Sequence, residues 1–198
     1  MADSVLGAWW DRLRGRLRPR PCPCSLGGWL DVPGRRLVAG APRVLGEFGI
    51  GAGQTVVEIG PGTGFYSVEA ARRIGPSGRL LCVDLQREML EVTRGRVHVV
   101  GLRAHFVRAN ASALPLRPGS ADHVFLVTVL GEIPDRPHAL AEMKRVLRRG
   151  GRLSVCEQFP DPDFVTPASL RRDLSTAGFV EERTRGWLFY RSTWSAPR

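Results

Sequence analysis

From Thr55 onward, apolar positions along the chain fall into a repeating order. Short runs rich in Val, Ile, Leu and Phe near residues 55–59, 79–84, 104–108, 122–128 and 151–157 predict strands. Between them, apolar residues spaced three and four apart near 64–74, 86–94 and 137–148 predict helices. Such alternation predicts a mostly parallel sheet with helices on both faces, a doubly wound α/β architecture. After residue 157 the order changes. Pro167 starts a predicted helix that ends before Gly178, and Phe179–Thr184 and Trp187–Thr193 read as two strands across a turn at Arg185-Gly186. The sheet is therefore expected to be seven-stranded and to close with an antiparallel hairpin.

Residues 1–50 follow a different pattern and are read as a helical lid or extension to a main domain spanning 51–198, the whole forming one globular unit. Val5, Leu6, Trp9, Trp10, Leu13 and Leu17 recur at helical spacing, interleaved with Arg12, Arg14, Arg16 and Arg18. That helix must stop at the Pro-Arg-Pro-Cys-Pro-Cys run of residues 19–24. A second helical pattern runs from Gly34 to Phe48 through Leu37, Val38, Val44 and Leu45, with a kink or break expected at Pro42.

The most informative run is Val56-Val57-Glu58-Ile59-Gly60-Pro61-Gly62-Thr63-Gly64. A strand breaks into alternating glycines and then into a helix, so backbone can approach a ligand that a Cβ would repel. The helix N-terminus beyond favours a carboxylate or phosphate. A dinucleotide fingerprint, Gly-x-Gly-x-x-Gly, fails in both frames, because Phe65 and Ser67 stand where the third glycine belongs. Downstream, Asp84 closes the second strand, where a carboxylate can accept both ribose hydroxyls or cap the next helix. The third strand ends in Asn110-Ala111-Ser112-Ala113-Leu114-Pro115. The fourth exits through Thr128-Val129-Leu130-Gly131-Glu132-Ile133-Pro134-Asp135, and Gly150-Gly151 precede the fifth.

In this order, over residues 36–157, the motifs resemble the class I S-adenosylmethionine (SAM) methyltransferases, and most closely the group related to ubiquinone and menaquinone biosynthesis enzymes. The resemblance implies a Rossmann-like fold and SAM as cofactor, with S-adenosylhomocysteine as product. It implies cofactor contacts from Glu58, Gly60, Pro61, Gly62, Gly64, Asp84, Leu85, Asn110, Ala111 and Thr128. Asn110 replaces the usual acid, and its amide oxygen can still accept a bond from the adenine amine. Gly131 stands where the family often has histidine, so no imidazole acts there. Glu132 is the candidate catalytic base and Glu157 a weaker one. The acceptor is expected to be a small or lipid-like molecule, methylated by in-line displacement.

Composition narrows the alternatives. Of 198 residues, 43% are apolar and 24% charged, which suits one soluble globular domain. No run is long enough to span a membrane, no secretory leader is expected, and four scattered cysteines fit a reducing cytoplasm. Cys22 and Cys24 fall short of a zinc site, so no metal is expected. The net charge of +10 is almost all arginine, Lys144 being the single lysine. That charge keeps a nucleic-acid methyltransferase in view as an alternative, and Gly131 keeps a SAM-binding protein without turnover. The N-terminal helix could also touch a membrane surface.

Overall fold

A computed structural model describes residues 40–197; the expected lid helix, the Cys22-Pro-Cys24 run and most of the second helical pattern lie outside the described residues. Helix α1 (Ala41–Phe48) carries Pro42 in its first turn, where a missing N–H costs no hydrogen bond; of the kink or break expected there, a helix start at Ala41 fits the break. Ala41, Val44, Leu45 and Phe48 form its buried face.

Five strands then run parallel: β1 (Thr55–Ile59), β2 (Arg79–Asp84), β3 (His105–Arg108), β4 (Ala121–Val127) and β5 (Leu147–Gln158). Helices α2 (Phe65–Ile74), α3 (Arg87–Val99) and α4 (Arg136–Val146) connect them. Helix α5 (Pro167–Thr176) leads into β6 (Val180–Arg185) and β7 (Phe189–Ser195), which pair antiparallel. The seven strands stand in the order β3-β2-β1-β4-β5-β7-β6. The architecture is that expected from the alternation of apolar runs.

Three boundaries differ for physical reasons. Helix α3 extends to Val99 because Val97 is still buried. Strand β5 begins at Leu147, which pairs with Ala121 before a bulge, so the double glycine lies within the strand. The hairpin turn is longer than Arg185-Gly186, leaving Trp187 and Leu188 outside β7.

Alternation along the central strands divides the core between two faces. Val57, Ile59, Val124, Leu126, Leu153 and Val155 pack with Ala139, Leu140 and Met143 of α4. Val56, Leu80, Cys82, Phe125 and Cys156 pack with α1, α2 and α3. Among the described residues no helix is long and apolar enough to cross a membrane.

Candidate functional site

Strand order reverses between β1 and β4, and in open α/β sheets ligands bind beyond the carboxyl ends of the strands at such a point. A cleft opens there. Glu58, Gly60, Pro61, Gly62, Asp84, Leu85, Asn110, Ala111, Thr128 and Glu132, all singled out from the sequence, line it. Gly64 does not. It caps α2 with φ 81°, and a Cβ there would sit 3.0 Å from Thr93 Cγ2, so its smallness serves the contact between α2 and α3.

Gly60 forms the floor with φ 67°, and an added Cβ would lie 2.5 Å from Val129 Cγ2. Both the conformation and the space at the end of β1 demand glycine. Opposite, Thr128 has φ 52°, a costly conformation for a β-branched residue. Its N–H donates to Cys156 O at 2.8 Å and its hydroxyl to Val127 O at 2.8 Å, which hold the strained turn against the cleft.

Two acids sit at the ends of β1 and β2. Glu58 is buried and accepts from Ser67 Oγ at 2.5 Å and from Cys82 Sγ at 3.7 Å. Burial pushes its carboxyl up to about 7, against the lowering effect of those two donors. Asp84 Oδ1 accepts Gln86 N–H at 2.8 Å, a turn closed two residues on. Gln86 itself is the N-cap of α3, so Asp84 is not the helix cap. Burial raises the Asp84 carboxyl above its ordinary value.

Another wall of the cleft comes from residues 109–111. Asn110 Oδ1 already accepts Ser112 N–H at 3.0 Å, so an exocyclic amine would have to use its second lone pair. The wall is braced from behind. Glu142 accepts Leu114 N–H at 2.8 Å, and Arg145 donates to Leu114 O and Leu116 O at 2.8 Å each.

The far end of the cleft holds Glu132, Ile133, Pro134 and Asp161. Asp161 reaches it on the loop after β5, and that loop rests on Gly131. A Cβ on Gly131 would overlap Asp163 O at 1.7 Å, so glycine at this position is what lets the loop close. Beneath lies Glu157, buried, with Oε1 making no hydrogen bond among the described residues. Burial first, then the Asp161 charge, push its carboxyl well above the ordinary range, and Arg136 opposes them. Beside it, Tyr190 donates to Val165 O at 2.7 Å. Phe65, Met89, Val129 and Asp161 also line the cleft and were not singled out in the sequence. The apolar spacing of α3 was the available signal for Met89; Asp161 had none, because its place depends on how the loop folds back.

Among the described residues no group of three or more His, Cys, Asp or Glu side chains could hold a metal ion. The cleft fits SAM instead. It offers a floor without side chains at Gly60, a carboxylate at the end of β2, and a second buried carboxylate at the end of β1.

Comparison with known proteins agrees with this geometry. The family model described as "Methyltransferase domain" matches residues 57–155. The ubiquinone/menaquinone biosynthesis C-methyltransferase UbiE of Hahella chejuensis is 42% identical over 115 residues, 57% of this chain and 46% of that protein. The enzyme of the same name from Haemophilus ducreyi is 36% identical over 147 residues, 71% of this chain and 56% of that protein. The chain thus spans about half the length of the curated relatives it matches. The crystal structure of a SAM-dependent methyltransferase from Aquifex aeolicus superposes with a TM-score of 0.83 at 24% identity, covering 89% of this chain and 100% of that one.

Proposed function

The chain belongs to the methyltransferase-domain family, and on that footing we propose that it transfers the methyl group of SAM to a small or lipid-like acceptor. The supporting observation is the continuity of the cleft. One cavity runs from Gly60 and Asp84, where the cofactor's methionine and ribose parts would lie, to Glu132 and Asp161. SAM supplies a methyl group on a sulfonium, which leaves as a thioether when the acceptor attacks in line.

The chain's own contribution is to orient and to accept a proton. Asp84 holds ribose hydroxyls, Gly60 and Gly62 let backbone pass under the methionine part, and Thr128 faces the cofactor's place from the turn after β4. Glu132 takes the acceptor's proton, with Asp161 beside it at the same end of the cleft. A hydroxylated aromatic ring suits that pair, because losing a phenolic proton makes the ring carbon or oxygen a better nucleophile. The matched relatives are named for ubiquinone and menaquinone biosynthesis, and a lipid-like quinol precursor is the corresponding acceptor class.

Labelled SAM incubated with the protein and fractionated cell extract tests this reading. Label in the organic phase is the expected result. Label in RNA or DNA would instead support the nucleic-acid alternative. No label in any fraction, with SAM still raising the melting temperature, would leave a binding protein without turnover.

A further inference from the structure

An exposed apolar cluster stands beside the mouth of the cleft. Trp187 is 72% exposed, Phe159 56% and Leu188 47%. Single exposed apolar residues are ordinary, but adjacent ones at a rigid turn call for a partner. This turn is rigid. Gly186 closes it so tightly that a Cβ would meet Phe189 O at 2.1 Å, and Phe159 N–H donates to Leu188 O at 2.7 Å, tying the loop after β5 to the hairpin tip. Ring packing continues inward, from Phe159 to Phe164 at 6.2 Å and from Phe164 to buried Tyr190 at 5.9 Å. The cluster is therefore anchored in the core and points its far end at solvent.

Its place and charge limit the partner. Asp161 lines the cleft only two residues from Phe159, and its N–H donates to Gln158 O at 3.0 Å. In the hairpin, Arg191 is buried in an ion pair with Glu47 and Arg183 donates to Glu47 O, which leaves Arg185 as the cation at the tip, within a chain of net charge +10. Arg185 is exposed at the tip itself, whereas Asp161 and Asp163 are half-buried on the cleft side. Aromatic and aliphatic tips flanked by arginine suit the interface of an anionic bilayer.

We propose that Phe159, Trp187 and Leu188 form a membrane-contact tip that seats the mouth of the cleft on an anionic lipid surface. An acceptor dissolved in the bilayer then reaches Glu132 and Asp161 without crossing water. The surface stands on its own geometry; only this delivery role rests on the acceptor proposed above.

The experiment is co-sedimentation of the full chain with vesicles of phosphatidylcholine and phosphatidylglycerol, three to one, and of phosphatidylcholine alone. Wild type should sediment with the anionic vesicles, and W187S/L188S should lose at least about tenfold in partitioning. The two side chains are exposed, so the variant should keep its melting temperature and its SAM-induced shift. Equal sedimentation of variant and wild type, or no binding of wild type to anionic vesicles, overturns the proposal. If SAM causes no shift while vesicle binding still depends on Trp187, the methyltransferase reading fails and the contact surface stands.

Discussion

Ser67 Oγ donates to Glu58 Oε2 at 2.5 Å across the joint between β1 and α2, with both side chains buried. The bond ties the strand that precedes the glycine turn to the helix that follows it. It also leaves an acid with little solvation. With its ordinary value of 4.5 raised to about 7, Glu58 holds a proton in the folded state over a range where the unfolded chain has lost it. Its contribution to stability is full below about 4.5 and fades as pH rises through about 7, by roughly 3 kcal/mol. Glu58→Gln should therefore lose less stability than wild type between pH 5 and pH 8 in urea unfolding. A cationic ammonium bound near Glu58 favours the ionised form, so SAM affinity should rise through the same pH range and flatten in the variant.

Asp84→Asn separates the two roles of that side chain. The amide oxygen can still accept Gln86 N–H and keep the turn, but the carboxylate that ribose hydroxyls would meet is gone. Calorimetric titration should show SAM binding weakened by about tenfold to a hundredfold, with the melting temperature of the free protein little changed. Unchanged affinity would remove Asp84 from the cofactor site.

Gly131→His tests the loop that rests on this glycine. Its Cβ would overlap Asp163 O, so the loop after β5 must lift, at a cost of about 1–3 kcal/mol for an overpacked site. Asp161 would leave the cleft while Gly60 and Asp84 stay in place. Methyl transfer should fall by at least about tenfold with SAM affinity nearly unchanged, and limited proteolysis should cut within residues 159–166. A variant with normal turnover would show that the loop position is irrelevant to the acceptor.

The sheet was legible because its central strands are buried on both faces and read as continuous apolar runs bounded by glycine or charge. The cleft floor was legible because a strand, a glycine and a helix are contiguous in sequence. Contacts between distant segments were not. Gly64 looked like its neighbours, yet its role depends on Thr93 packing from α3, which no local pattern reports. Pro42 suggested a kink or a break without saying which, because the start of α1 could not be placed from an apolar pattern that extends back to Gly34. Asp161 comes beside Glu132 because Gly131 admits the loop, and the residue that makes this possible looked in the sequence like a missing histidine. The exposed Trp187 was read as part of a strand, since β propensity cannot tell a strand end from an apolar turn.

His123 supplies the opposite pH dependence to Glu58. It is buried, with Nε2 and Ser154 Oγ 2.9 Å apart and its ring stacked on Phe48 at 6.4 Å. Burial, with Arg152 adding to it and Asp122 opposing, pushes its ordinary value of 6.5 down to about 3. The unfolded chain then binds a proton that the folded state refuses, so His123 costs stability as pH falls from about 6.5 toward 3. Glu58, and Glu157 in the same direction, favour the folded state at low pH over an overlapping range. Between about pH 4.5 and 6.5 His123 offsets only one of these two carboxyls, so wild-type stability should fall there with the slope of the other. His123→Gln should unmask both carboxyls, with stability falling more steeply across that window than in wild type. Glu58→Gln should level the profile, because Glu157 and His123 then oppose each other one to one. Parallel pH profiles for wild type and His123→Gln would mean that the buried imidazole is protonated in the native state, and Ser154 would then have to be its acceptor.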